Sequence, residues 1–308
     1  PVTPTPTVAG PELIRLAGAD RYQTAVEVSR VHGTVGAPLV LATGENYADA
    51  MVAGPLAGRL DGSLLMTLPD RLPESVRAEI ERLRPSEIIV LGSESSVSEA
   101  AVRTASEAAG TEKVTRIAGS DRVDTAAKVA EQYFPYARQA FVATGWNFPD
   151  ALSAASLGAI TDSPVLLTTP DRAHPRVRDY LQRNGVLTRA VVWGDERSVS
   201  ARAVTQIEVS TTAVVERVAG ADRYETNVAG VQKFAPNAEG IVVATGSTHP
   251  DALTAALVSA RTGYPLVIVP GECSTATTGD LVTQLQPKQA IVIGSEQSVS
   301  DGALSTRC

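Results

Sequence analysis

Histidine and cysteine are nearly absent from this chain of 308 residues, which has three of the first and two of the second. Two cysteines, Cys273 and Cys308, are too few for a disulfide-built scaffold or a structural zinc site. In an exported chain they suit one disulfide, worth about 3–4 kcal/mol in the chain-entropy account; two reduced thiols are the alternative. No run of apolar residues approaches the ~20 that a bilayer-spanning helix needs, so membrane insertion is not expected. Basic clusters are missing as well. With a net charge of −7, the chain offers no surface for wrapping a nucleic-acid backbone. A few arginines fixed in a cleft can still dominate their local field, so an anionic ligand stays open. The phosphate loop of the Walker type, the Gly-x-Gly-x-x-Gly turn and the Gly-x-Ser-x-Gly elbow are all absent, and no cofactor is expected.

What the chain does have is repetition. Arg15-Leu-Ala-Gly-Ala-Asp-Arg-Tyr22 returns as Arg116-Ile-Ala-Gly-Ser-Asp-Arg-Val123 and as Arg217-Val-Ala-Gly-Ala-Asp-Arg-Tyr224. A second block, Ala-Thr-Gly at Gly44, Gly145 and Gly246, keeps the same spacing and leads each time to an Asp-Ala pair at Asp49, Asp150 and Asp251. Such a period marks a tandem array. The division is a Pro/Thr linker over 1–11, then modules over 12–112, 113–213 and 214–308. The opening Pro-Val-Thr-Pro-Thr-Pro-Thr tract reads as extended and solvated. With no signal peptide ahead of it, the chain is expected to be a mature fragment.

Within the first module, short apolar strands at 13–17, 39–42, 63–68 and 87–91 alternate with helices at 20–31, 50–60, 73–83 and 98–109. Continuous apolar strands alternating with helices imply a parallel sheet covered on both faces. The expected fold class is α/β, with three tandem Rossmann-like sandwiches. Linkers of only a few residues favour a packed pseudo-threefold arrangement within one chain, an open solenoid being the alternative.

The repeated words fall after strands, where open parallel sheets place their ligands. Several have structural explanations. Asp20, Asp121 and Asp222 each precede Gln23, Asp124 and Glu225 by three residues, as helix N-caps in a capping box do. Ser98, Ser200 and Ser300 are expected to be N-caps too, and Asp49, Asp150 and Asp251 stand where a cap would, just before small-residue helices. Arg21, Arg122 and Arg223 need a fixed partner, either a salt bridge, for instance to the Asp49 class, or a carboxylate or phosphate of a ligand. The second loop adds a polar residue and a ring: Asn46-Tyr47, Asn147-Phe148 and the degenerate Thr248-His249. Aromatics make up only 4% of the chain, yet Tyr22, Tyr47, Trp146, Phe148, Trp193 and Tyr224 gather in or beside these loops. Rings beside amides and carboxylates suit a sugar; filling the core is the alternative.

Catalytic groups do not recur with the repeat. His32, His174 and His249 occupy different module positions, so no repeated triad can use one, and no His/Cys metal cluster can be assembled. The chain reads as a binder without catalytic residues.

These motifs resemble the cell-wall-binding repeat 2 family of Gram-positive surface-layer and secreted proteins. The family pattern is met by Arg15 to Ala25, Leu39 to Ala50, Leu64 to Thr67 and Gly92 to Ser98, and again twice, over about residues 12–308. The resemblance implies a toprim-like sandwich, a pseudo-trimer and non-covalent anchoring to a cell-wall polysaccharide or teichoic-acid-like anionic polymer. It also implies a location at the cell wall or surface, in some cases with an enzymatic or adhesive domain attached. Val123, Asn227, Thr248 and His249 depart from the pattern, so unequal sites are expected, the third module's being weakest. Two other readings compete: a structural platform whose repeated loops join the modules, and a wall hydrolase.

Overall fold

The computed structural model describes residues 10–248 and 251–308. The Pro/Thr tract over residues 1–9 and the expected site residue His249 lie outside the described residues.

The first repeat runs β1 (Glu12–Leu16), α1 (Arg21–His32), β2 (Leu39–Thr43), α2 (Tyr47–Ala50), α3 (Ala53–Arg59), β3 (Ser63–Thr67), α4 (Glu74–Leu83), β4 (Ile88–Leu91) and α5 (Glu99–Ala109). The second runs β5 (Val114–Ile117), α6 (Arg122–Tyr133), β6 (Gln139–Thr144), α7 (Phe148–Ile160), β7 (Val165–Thr168), α8 (Pro175–Arg183), β8 (Arg189–Trp193) and α9 (Ala201–Glu208). The third runs β9 (Val214–Val218), α10 (Arg223–Phe234), β10 (Gly240–Thr245), α11 (Ala252–Thr262), β11 (Leu266–Val269), α12 (Ala276–Leu285) and β12 (Gln289–Ile293). The strands form three four-stranded parallel sheets. Strands such as Leu39-Val-Leu-Ala-Thr43 are buried along their whole length, as helices on both faces require.

Sheet membership is offset from the sequence repeat by one strand. β5 opens the second repeat but pairs with β4 of the first, Ile88 opposite Val114, and β9 likewise pairs with β8. β1 crosses to the far end of the chain and pairs with β12, Leu13 opposite Ala290. Each sheet is thus completed by the first strand of another repeat, and β1 closes the array into a ring. The leading arginine of each motif fastens this exchange: Arg15 donates to the Gly294 carbonyl at 2.7 Å and Arg116 to that of Gly92 at 2.9 Å.

A pseudo-threefold axis runs between α3, α7 and α11, which all pack on one another. Equivalent positions meet along it. A Cβ at Gly58 would stand 2.7 Å from the Ala260 Cβ and 3.9 Å from that of Ala159, and one at Gly54 only 2.2 Å from the Ala256 Cβ. Small residues let these helices approach closely, which explains their Ala- and Gly-rich sequences. Away from the axis, Arg59 donates to the Tyr133 carbonyl at 2.9 Å and Arg261 to that of His32 at 3.0 Å, linking neighbouring repeats.

Three local expectations need correction. The helix expected over 50–60 is divided into α2 and α3 in the first repeat, whereas its counterpart α7 is continuous. Ser300 begins no helix: residues 301–305 are turns, and the Ser300 hydroxyl donates to the Glu272 carbonyl at 3.2 Å. The tail is instead held by the Cys273–Cys308 disulfide, Cα atoms 5.3 Å apart. Finally, Trp193 is no loop ring. It sits at the end of β8, fully buried, with Phe141 and Phe234 against it at 5.4 and 6.2 Å.

Candidate binding clefts between repeats

The motif's Gly-x-Asp-Arg turn is built locally. Asp20, Asp121 and Asp222 cap α1, α6 and α10, accepting from the amides of Gln23, Asp124 and Glu225. The side chains of Gln23, Asp124 and Glu225 reach back to the amides of Ala19, Ser120 and Ala221. That is a capping box displaced by one residue. Ser98 and Ser200 cap α5 and α9.

The second arginine has the same partner in every repeat. Arg21, Arg122 and Arg223 donate to the carbonyls of Gly44, Gly145 and Gly246 at 2.6, 2.7 and 2.6 Å. The acceptor is a backbone carbonyl of the same repeat rather than a carboxylate. Two of these arginines also reach the preceding repeat. Arg122 lies over the Tyr47 ring at 5.6 Å and Arg223 over the Phe148 ring at 5.7 Å. Tyr47 and Phe148 themselves meet at 5.8 Å, half-buried against the core.

The carboxylates of Asp49, Asp150 and Asp251 make no helix cap. Asp49 and Asp150 lie inside the first turns of α2 and α7, and Asp251, at the cap position of α11, makes no cap bond. Each instead accepts from a serine in the loop after the last strand of its repeat: Ser96 at 3.2 Å, Ser198 at 2.9 Å and Ser298 at 3.2 Å. Gly92, Gly194 and Gly294, all at positive φ, give the carboxylate room; a Cβ at Gly194 would stand 2.3 Å from an Asp150 oxygen. Burial raises the Asp49 and Asp150 carboxyls above the usual carboxylate range, against the opposing pull of the serine bonds and of Arg122 and Arg223 respectively.

These groups line two clefts, each at a junction between repeats. One joins Asn46, Asp49 and Ser96 of the first repeat to Asp121, Arg122 and Thr125 of the second, with a volume of about 160 Å³. The other joins Asn147, Asp150 and Ser198 to Asp222, Arg223 and Thr226 in the same register, with about 400 Å³. The larger also has Trp146, 52% exposed, and Arg197, which pairs with Asp195 at 2.6 Å. Neither Tyr47 nor Phe148 is among the lining residues. At the third junction Thr248 is exposed and Asp251 repeats the serine contact. Trp146, one of the rings expected in or beside these loops, does line the cleft, whereas the sequence pattern alone did not single out Ser96 and Ser198 as wall residues. The signal was present in the serine recurring four residues after Gly92, Gly194 and Gly294.

The pattern of cell wall binding domain 2 matches residues 15–102, 116–204 and 217–304, one match per repeat. The chain belongs to this family. Among solved structures, Cwp6 from Clostridium difficile superposes with a TM-score of 0.88 at 30% identity over 96% of this chain, and Cwp8 from the same organism with 0.85 at 27% over 93%. N-acetylmuramoyl-L-alanine amidase LytC of Bacillus subtilis is 27% identical over 287 residues, 93% of the chain. The chain spans about half of each of these proteins: 47% of Cwp6, 50% of Cwp8 and 56% of LytC. In this cell wall binding domain 2 chain, family membership and three-unit fold therefore rest on essentially the whole described length.

Proposed function

We propose that the chain is a non-catalytic anchoring unit, holding a secreted or surface protein to the cell wall through an anionic secondary polymer gripped in the clefts between repeats. One observation carries this reading: the two clefts place the same residue types at the same positions at successive junctions. A fold maintained only for packing has no need to repeat an open, hydroxyl-, amide- and carboxylate-lined recess. The Asn147 amide can accept from or donate to sugar hydroxyls, the Asp150 and Asp222 carboxylates can accept from them, and the exposed Trp146 face suits a pyranose ring. Several weak sites on a repetitive ligand gain through avidity. Sedimentation with purified walls, before and after removal of secondary polymer, tests it: binding is expected to disappear with the polymer, and equal binding to both wall preparations refutes the polymer assignment.

A structural role for the same loops has its own support, because Arg122 and Arg223 bridge repeats through Tyr47 and Phe148. Arg223→Ala separates the two. Loss of the carbonyl bond and ring contact costs about 1–3 kcal/mol of stability in either case. Wall affinity measured well below the melting temperature is expected to fall as well; unchanged affinity favours the platform.

A further inference from the structure

The second repeat has a recess of about 480 Å³ away from the clefts, lined by Arg172, His174, Arg178, Arg202 and Gln206 among others. Among the described residues no carboxylate lines it. In a chain of net charge −7, three guanidinium groups converge there, and none forms an ion pair or a side-chain hydrogen bond among the described residues. The Arg178 Nε is fully buried with no hydrogen-bond partner. The nine-residue helix α8 also starts at the recess, adding the partial positive charge of its N-terminus.

The other repeats show that the fold does not require this arrangement. In the first, Arg71 and Arg77 stand at the positions of Arg172 and Arg178, but Asp70 pairs with Arg71 at 3.1 Å and Glu74 binds Arg77 Nε at 2.8 Å. In the second, Pro175 replaces that glutamate, and Asp171 is bonded by the Thr169 hydroxyl at 3.1 Å. In the third, the two arginine positions are Cys273 and Gly279. Only the second repeat keeps the cations without their acids. A buried guanidinium N–H that lacks a partner, as Arg178 Nε does, is costly unless something supplies an oxygen.

The geometry points to an oxyanion site: the recess takes a phosphate or phosphodiester, with Arg178 and Arg202 as donors and Arg172 supplying further charge. Its position relates it to the clefts. His174 Nε2 lies 4.0 Å from Asp121, which lines the cleft between the first and second repeats. A polymer leaving that cleft past Asp121 reaches the arginines next, so the recess would hold its charged group while the cleft holds a sugar. That the ligand is wall polymer rests on the preceding proposal; the oxyanion site does not.

The test is titration calorimetry of the full chain with inorganic phosphate, followed by wall sedimentation in its presence. Wild type is expected to bind one phosphate saturably, and Arg178→Gln and Arg202→Gln to weaken this about tenfold or more, the scale of one charge-assisted hydrogen bond. Arg77→Gln, whose arginine is paired with Glu74, is expected to leave it unchanged. Absence of saturable binding overturns the site. So does unaltered binding by Arg202→Gln, an exposed position that carries the test if Arg178→Gln fails to fold. Saturating phosphate is expected to weaken wall binding by wild type but not by Arg202→Gln; no competition rejects the polymer as occupant and leaves the oxyanion site standing. Phosphate binding together with equal sedimentation on intact and stripped walls supports the site and counts only against the anchoring proposal.

Discussion

At the residue scale, each polar residue of the motif has a distinct task. The capping Asp serves its own helix, the first Arg fastens one repeat to another, and the second Arg closes its own loop, Arg122 and Arg223 also covering a ring of the repeat before. Asp49 and Asp150 are the strained members, being carboxylates whose burial disfavours their charge. A consequence follows for Asp150. With its folded-state pKa raised above the unfolded value, the folded protein holds the proton more tightly, so its contribution to stability falls as pH climbs from about 4 through the raised value. Asp150→Asn does not titrate. Denaturant unfolding across this range is expected to show the variant gaining on wild type as pH rises; a constant difference contradicts the burial effect. The capping Asp was legible from its partner three residues on. The Asp49 class was not, because a cap and a carboxylate aimed at a distant serine look alike until Gly92 and Ser96 are folded back over it.

At the element scale, apolar runs identified the strands of the first repeat, since buried parallel strands must be apolar throughout, but not the break between α2 and α3. Which sheet a strand joins is set by non-local pairing, and local pattern is silent about it. Nothing within Glu12–Leu16 tells that it pairs with Gln289–Ile293. The small-residue helices have a reason visible only in three dimensions, the close approach around the axis. Gly54→Ala places a Cβ against the Ala256 Cβ and forces α3 and α11 apart. Overpacking of this kind costs about 1–3 kcal/mol. Chemical denaturation is expected to show that loss, whereas Gly36→Ala, at a positive-φ turn with open space around it, reports backbone strain alone; equal stability of Gly54→Ala and wild type contradicts tight axial packing.

At the scale of the whole molecule, the exchange of first strands makes the array a closed ring. β1 covers an edge of β12 that would otherwise stand open to other chains. Removing residues 10–16 is therefore expected to lower the melting temperature and to produce concentration-dependent association in light scattering. A monomer as stable as the parent chain contradicts the closure. The exchange of first strands also joins successive repeats, and with those junctions come the two clefts, each walled by residues of two repeats. Here sequence and structure differ most in what they convey: the period announced three modules, but the recesses lie between them and share their walls. The central claim is that polymer binds at these junctions. A crystal structure of the chain with an oligomeric fragment of the secondary wall polymer tests it most directly. Saccharide density is expected in the larger cleft, against Trp146 and between Asp150 and Asp222; density confined to the outer face of a single repeat, with that cleft empty, contradicts the account.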